Sequence, residues 1–153
     1  MIEIREGGLD LAPVQAMLRN HLAQMHANSP KESVHALDLS GLSAPGIRFW
    51  TAWRGDELMG CGALKSLDGD HGEIKSMRTA PAHLRSGVGA AILRHILDTA
   101  RADGLKRLSL ETGSGEAFEP AHALYRRFGF TPCNAFGDYR EADPFSRFMS
   151  RAL

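Results

Sequence analysis

The sequence has little cysteine, no net charge and no long hydrophobic run. Its 153 residues include two cysteines, Cys61 and Cys133, which are too few and too far apart for a disulfide framework or a zinc motif. Lys and Arg together number 18, as do Asp and Glu, so the formal net charge is +0 at pH 7. A neutral chain has no general field that would attract nucleic acid or an anionic membrane. We therefore expect neither as a partner, and we expect no bound metal.

The short hydrophobic runs also exclude a transmembrane helix, and the first ten residues lack the basic start and apolar stretch of a signal peptide. A cytoplasmic location is the resulting expectation. No internal repeat, low-complexity tract or flexible linker divides the chain. Since 43% of the residues are hydrophobic and 24% are charged, the composition is typical of a globular protein, and we expect one domain over residues 1–153.

The hydrophobic periodicity predicts the element order β-α-α-β-β-β-α-β-α-β-β. Strands are predicted at residues 2–5, 47–53, 57–67, 72–79, 106–111, 130–136 and 146–152. Four helices are predicted. The first follows Asp10, which we expect to be its N-cap, and the second covers 32–42. The third runs from Val88 to a C-terminal cap at Gly104, and the fourth covers 119–128. Consecutive strands followed by strand–helix–strand units predict an α/β fold, mixed α+β, with a mixed and largely antiparallel sheet.

A strand-to-helix junction carries the strongest chemical pattern. The strand ending at Thr79 is followed by Arg85-Ser86-Gly87-Val88-Gly89, and a helix begins at once. The first turn of a helix has free N–H groups and a positive dipole end, and the glycines let a phosphate approach the backbone. The pattern therefore predicts a pyrophosphate site. The alternative is that Gly87 and Gly89 only permit a tight turn and close packing. A Walker loop and a dinucleotide fingerprint are excluded because their remaining residues are missing.

Two motifs in the right order resemble those of the GNAT (GCN5-related N-acetyltransferase) superfamily. The segment 84–89 (LRSGVG) resembles the core motif Arg/Gln-x-x-Gly-x-Gly/Ala, with Leu84 at the Arg/Gln position. The segment 124–130 (LYRRFGF) matches Leu-Tyr-x-x-x-Gly-Phe in full, and Phe118 stands where an Asn is often found. The resemblance covers the whole element order, and it implies a GNAT-like twisted sheet of about seven strands flanked by about four helices.

The resemblance also implies how acetyl-CoA, the acyl-donor cosubstrate, is held. Backbone groups of residues 77–79 would pair with the pantetheine arm, and amides of residues 85–90 would bind the pyrophosphate. The fourth and fifth strands would splay apart around the thioester. The positions assigned to CoA in this way are Met77, Arg78, Thr79, Leu84, Arg85, Ser86, Gly87, Val88, Gly89, Ala90 and Phe118.

Acetyl transfer to an amine needs a base for the ammonium, hydrogen-bond donors for the developing oxyanion and an acid for the leaving thiolate. The resemblance implies that Tyr125 is the acid, because the family's tyrosine at this place points at the CoA sulfur. From the pattern alone, Tyr125 would instead be an aromatic residue on the buried face of its helix.

Two carboxylates are candidates for the base. Glu73 is the preferred one, since strand alternation predicts that it shares a face with Lys75, Met77 and Thr79, and the superfamily often places a Glu near this position. Glu111 on the following strand is the rival. The alternative for Glu73 is a solvated charge at the end of a strand.

The acceptor site is the least defined by sequence. His35 lies where the superfamily builds its acceptor wall, His21 and Met25 could line the same wall, and Tyr139 could reach the acceptor from a later turn. We expect a small-molecule amine or an amino acid rather than a protein as acceptor. Dimers are common in the superfamily, so the resemblance is also compatible with a homodimer. The competing hypothesis is a catalytically silent acyl-CoA-binding module, favoured by Leu84 and Phe118.

Overall fold

The structure is a computed structural model that describes residues 1–34, 37–141 and 143–153. Its strands form one seven-stranded sheet in the order β1-β2-β3-β4-β5-β7-β6. The strands are β1 (Glu3–Glu6), β2 (Ile47–Arg54), β3 (Glu57–Ser66), β4 (His71–Thr79), β5 (Arg107–Gly113), β6 (Thr131–Pro132) and β7 (Ser146–Ala152). The α-helices in the described part of the chain are α1 (Ala12–Asn28), α2 (Leu39–Leu42), α3 (Val88–Ala102) and α4 (Glu119–Arg127).

Neighbouring strands are antiparallel throughout the sheet except for β4 and β5, which are parallel. Tight turns join β2 to β3 and β3 to β4, whereas the parallel pair is connected through α3, as a parallel crossover requires. The predicted fold class, a mixed and largely antiparallel sheet with flanking helices, is confirmed.

Each face of the sheet is covered by a separate hydrophobic cluster. The apolar stripe of α3, with Ile92 and Ile96 completely buried, packs on one face together with Tyr125 and Phe130. On the other face, Val14 and Leu18 of α1 pack against alternate residues of β2 and β3. The two helices therefore approach β4 from opposite sides, which decides what surrounds the functional site.

Most predicted boundaries lie within two residues of the observed ones, and three predictions differ more. Asp10 does not cap α1; Leu11 is the N-cap, without a side-chain bond. Of the helix predicted at 32–42, the described residues form a 3-10 turn at Lys31–Ser33 and α2, where the Asp38 carboxylate accepts a hydrogen bond from the amide of Gly41 at 2.8 Å and caps the helix; residues 35–36 lie outside the described residues. The strand predicted at 130–136 is reduced to β6, although the N–H of Cys133 still donates to the carbonyl of Phe148 in β7 at 2.9 Å.

Within the described residues, no helix combines the length and the apolar character that crossing a membrane requires. The predicted acceptor residue His35 lies outside the described residues, so its role stays a prediction.

Candidate active site

The parallel pair β4 and β5 separates before either strand ends. In the described part of the chain their pairing runs from His71–Arg107 to Ile74–Leu110, although β4 continues to Thr79 and β5 to Gly113. The backbone beyond Ile74 therefore borders a gap in the sheet. A cleft of about 490 Å³ opens there, between α1 on one side and α4 on the other.

Many of the predicted site residues meet in this cleft. Those of the predicted set that line it are Met77, Arg78, Thr79, Leu84, Gly89, Glu111, Phe118 and Tyr125. His21 and Met25 of α1 line it as well. Glu73 and Tyr139 are absent from the described lining, and Arg85, Ser86 and Gly87 are exposed at the start of α3.

A bulge in β4 changes which side chains face the cleft together. Ser76 has a φ of 56°, and the β3–β4 register shifts beside it. As a result Lys75 pairs with Ala63 on the α1 face, whereas Met77 packs with the α3 cluster. The prediction that Glu73, Lys75, Met77 and Thr79 share one face is therefore wrong, because one extra residue reverses the alternation.

The N-terminus of α3 has the geometry of an anion site. Arg85 and Gly87 both have a positive φ, of 63° and 82°, and this backbone turns sharply into the helix at Val88. Gly87 is the N-cap, and no side chain of the described residues caps the first-turn amides. A Cβ on Gly87 would meet no described atom within 4 Å, so the space above the helix end is open in this part of the structure. Free amides and open space fit a pyrophosphate.

Gly89 has a different role from Gly87. A Cβ at this position would lie 3.1 Å from Cδ2 of Leu124. The glycine therefore lets α3 and α4 approach closely, a helix–helix contact, whereas the packing alternative from the sequence was a close approach of helix and sheet. The Val88 side chain is likewise completely buried, so any ligand contact there would use its backbone.

Phe118 and Leu84, the two departures from the usual motif, both line the cleft. The Phe118 ring is buried against the backbone of Gly113, where it leaves no room for a Cβ. Leu84 is 62% exposed. Both positions therefore add apolar surface to the cleft.

The hydroxyl-bearing ring of Tyr125 lies at the wall of the cleft. The ring is buried and meets Phe130 edge-on, with 5.8 Å between the ring centroids. Burial raises the pKa of Tyr125 above its usual value. The phenol therefore keeps its proton across the neutral range, as a hydrogen-bond donor to a leaving group must.

Glu73 is engaged in a closed network. The Tyr139 hydroxyl donates to its Oε2 at 2.5 Å, and Lys75 Nζ donates to the same oxygen at 3.2 Å and to the Tyr139 hydroxyl at 2.9 Å. Glu73 is only 3% exposed. Burial, followed by the nearby Glu73 charge, raises the pKa of Tyr139. Both residues are thus held by each other and by Lys75.

Glu111 is more open to the cleft. Its Oε2 accepts one hydrogen bond, from the Ser146 hydroxyl at 2.7 Å. Burial raises its pKa to about 7, against the opposing effects of Ser146 and the Lys75 charge, while Glu73 and Asp143 add to the rise. A carboxylate with a pKa near neutrality is suited to accept and release a proton at physiological pH.

The raised pKa of Glu111 predicts a decline in stability with rising pH. The native carboxyl holds its proton up to about pH 7, whereas the unfolded one loses its proton near the ordinary pKa of 4.5. The native state therefore binds more protons in this window, and the free energy of unfolding falls as pH rises through it. Each unit by which the native pKa exceeds the unfolded one corresponds to about 1.4 kcal/mol. The free energy of unfolding therefore falls by about 3 kcal/mol between about pH 4.5 and pH 7.

Urea unfolding at pH 5 and pH 8 measures this decline. We expect the free energies of unfolding at the two pH values to be more nearly equal in Glu111→Gln than in the wild type. Glu116 is an exposed glutamate five residues further along the chain, and Glu116→Gln should keep the wild-type difference between the two free energies. An unchanged difference in Glu111→Gln would show that this carboxyl titrates normally.

The sequence missed the polar groups on the α1 side of the cleft. His21 and Ser76 are buried to 7% and 8% exposure, and within the described residues His21 Nδ1 and Ser76 Oγ have no hydrogen-bond partner. The spacing of His21 from Leu18 places it near the buried stripe of α1, which is the pattern that could have indicated it. Nothing in the pattern indicates the bulge that buries Ser76.

The comparison with known sequences identifies the family. The profile of the Acetyltransferase (GNAT) family matches residues 14–130. The uncharacterized N-acetyltransferase YsnE of Bacillus subtilis is 56% identical over 140 residues, covering 92% of each chain. The uncharacterized N-acetyltransferase YedL of Escherichia coli is 50% identical over 153 residues, or 100% of this chain and 96% of the relative. The IAA acetyltransferase of Azospirillum brasilense is 41% identical over 152 residues, or 97% and 95%.

Solved structures agree with this assignment. A Klebsiella pneumoniae protein with a proposed acyl-CoA N-acyltransferase activity superposes with a TM-score of 0.83 at 28% identity, covering 100% of this chain and 98% of the other. The PaiA N-acetyltransferase of Thermoplasma acidophilum, solved with coenzyme A, has the same fold, with a TM-score of 0.74 at 16% identity and coverage of 100% and 99%. With its splayed β4 and β5, its glycine-bearing turn before α3 and these relatives, the chain belongs to the GNAT family of acetyltransferases.

Proposed function

We propose that this acetyltransferase moves the acetyl group of acetyl-CoA directly to a primary amine of a small molecule or an amino acid. The observation that carries the proposal is the presence in one cleft of Glu111, whose pKa is raised to about 7, and of the protonated phenol of Tyr125. The cleft volume of about 490 Å³ lies within the range of small-ligand sites, which favours a small acceptor over a protein.

The residues that would hold acetyl-CoA fit this cosubstrate. The amides at the start of α3 and the open space above Gly87 suit its pyrophosphate. The strand backbone from Met77 to Thr79, beyond the pairing with β5, offers groups for its pantetheine amides. When bound, acetyl-CoA supplies an activated acyl carbon and a thiolate leaving group.

Glu111 is the base in this proposal. An acceptor amine is protonated at neutral pH and must lose a proton before it can attack. Glu111 lines the cleft and, among the described residues, accepts a hydrogen bond from Ser146 alone. Glu73, the carboxylate that the sequence favours, is already bonded to Tyr139 and Lys75. We assign Glu73 to positioning Lys75, whose charge in turn acts on Glu111.

Tyr125 is the donor to the leaving sulfur. A thiol has a usual pKa of about 8.5, which is lower than that of a phenol. The phenol would therefore give up its proton only as negative charge develops on the sulfur. Burial in the cleft would also make that sulfur more basic. Before that point, its hydrogen bond stabilises the developing charge.

Thiol release from acetyl-CoA in the presence of a panel of primary amines tests the proposed function. We expect at least one amine to stimulate release. Tyr125→Phe should then lower kcat by about 10²-fold, the usual effect of losing a general acid, while calorimetry shows a Kd for CoA within a few-fold of the wild type.

The alternative is the silent acyl-CoA-binding module, which the exposed Leu84 at the usual Arg/Gln position favours. It would be supported if CoA binds and no amine stimulates thiol release. An unchanged kcat in Tyr125→Phe would be compatible with acetyl transfer, but it would show that a group other than Tyr125 protonates the leaving thiolate.

A further inference from the structure

The α1 side of the cleft contains a positive charge that no described residue neutralises. Arg78 lines the cleft and also the smaller pocket beside it under α1; it is partly buried, and burial lowers its pKa. Among the described residues it makes no ion pair and no hydrogen bond, and the one ionisable neighbour that affects it is the Cys61 thiol. Arg48, in contrast, contacts both Glu6 and Asp103 at 3.0 Å. A partly desolvated arginine without an anion is unfavourable unless a ligand supplies one.

Two buried polar groups accompany this charge. His21 Nδ1 and Ser76 Oγ have no partner within the described residues, and both side chains are more than nine-tenths buried at the wall of the same cleft. Burial, with a smaller effect from the Arg78 charge, lowers the pKa of His21 to about 4. The imidazole is therefore neutral at physiological pH, and its unpaired nitrogen needs a hydrogen-bonding ligand.

These groups lie on the opposite face of the sheet from the proposed pyrophosphate site at the N-terminus of α3. Arg78 pairs in register with Cys61, whose side chain belongs to the cluster under α1. Thr79 pairs with Gly60, which faces Val88 and Ile92 of α3. An anion held by Arg78 is thus separated by the sheet from one held at the start of α3.

We propose that Arg78, with His21 Nδ1 and Ser76 Oγ, binds a carboxylate of the acceptor, so that the acceptor is an amine that also carries a carboxylate, as an amino acid does. This inference rests on the proposed function and names its substrate class. Glu111 attracts the ammonium of the acceptor and Arg78 its carboxylate, so the two charges orient a zwitterion in the cleft. An amine without a carboxylate leaves Arg78 unpaired.

The test compares the common L-amino acids with their carboxamides, which keep the side chain and the amine but lack the negative charge. Because a carboxamide also makes the neighbouring amine less basic, the informative quantity is how a variant changes the acid-to-amide ratio of kcat/KM. We expect Arg78→Gln to lower kcat/KM for the best acid by about 10- to 100-fold, the usual range for a charged hydrogen bond, and to change the amide by less than about threefold. Arg78→Lys should restore part of the loss, since it keeps the charge.

Arg19→Gln is the matched control, because Arg19 is exposed on α1 and is absent from the cleft lining. It should change neither ratio. The Kd for CoA separates the two sources of an anion. If Arg78→Gln weakens CoA binding by the same factor as it weakens the acid, the anion belongs to CoA and the inference is overturned. An equal loss for acid and amide would overturn it as well.

A second measurement does not require turnover. With CoA present, acids should raise the Tm of the wild-type protein more than their amides do, and Arg78→Gln should remove that difference. If no amine is acetylated but this difference is seen, the proposed function fails while the carboxylate site stands. If acids are acetylated and no difference is seen in Tm or in kcat/KM, the carboxylate site is wrong while the transferase function stands.

Discussion

Glu111→Gln is expected to lower kcat/KM at pH 7 by about 10²- to 10⁴-fold, the range for a lost general base. The wild-type profile should fall below about pH 7, where Glu111 becomes protonated. The variant has no carboxyl to titrate there, so its acidic limb should flatten. The glutamine still accepts the Ser146 hydrogen bond, so the change removes the base and keeps the local packing.

The pH profile of kcat/KM measures this effect with the best acceptor found in the amine panel. Glu116→Gln, on an exposed turn, should match the wild type at every pH. The assignment would be reversed if Glu73→Gln flattens the limb and Glu111→Gln does not. If both variants keep the limb, the amine loses its proton to water, and the site acts mainly by positioning.

Gly87→Glu is expected to weaken CoA binding by about 10²- to 10³-fold. The new carboxylate would stand in the open space at the start of α3, where two like charges about 4 Å apart repel by roughly 4 kcal/mol at a partly screened surface. No atom of residues 1–34, 37–141 or 143–153 lies within 4 Å of the added Cβ, so the fold has room for the side chain. The remaining cost is the positive φ of 82°, about 1 kcal/mol for a residue other than glycine.

Gly104→Glu is the matched control, because Gly104 has a φ of 80° and open space at the other end of the same helix. This variant has the same backbone strain and the same added charge, but it is at the far end of α3 from the proposed pyrophosphate site. Calorimetry should show a normal Kd for CoA in this control. Gly87→Ala separates strain from charge, and it should bind CoA more tightly than Gly87→Glu. Equal affinity of Gly87→Glu and the wild type would remove the anion site from the start of α3.

Much of the fold follows from local pattern. Gly55 and Gly69 occupy positive-φ turn positions between the strands of the meander, and turn chemistry of this kind is legible in sequence. The buried stripe of α3 from Val88 to Ala100 repeats at helical spacing and lies under the sheet as expected. Local patterns of this kind suffice to order the elements, because each depends only on residues nearby in the chain.

The site depends on contacts that local pattern does not contain. Tyr139, which is 66 residues from Glu73, donates to it, whereas Ser146, which is 35 residues from Glu111, makes the only hydrogen bond to that carboxylate among the described residues. These distant contacts are the reason that we propose Glu111 rather than Glu73 as the base. Alternation also fails at Ser76, since a serine in a strand gives no sign of a positive φ. The sequence therefore placed several of its candidate residues at the gap and assigned some of them to the wrong face.

The bulge at Ser76 also makes the site sensitive to the length of β4. Every side chain after it stands on the face opposite to the one that simple alternation assigns, and Arg78 lies beneath α1 for this reason. Loss of one residue from this strand would carry Arg78 toward the apolar surface of α3 and Met77 toward the acceptor wall. A shortened strand would thus keep every functional residue type and lose the site, so relatives should be compared by counting β4 residues before their identities are aligned.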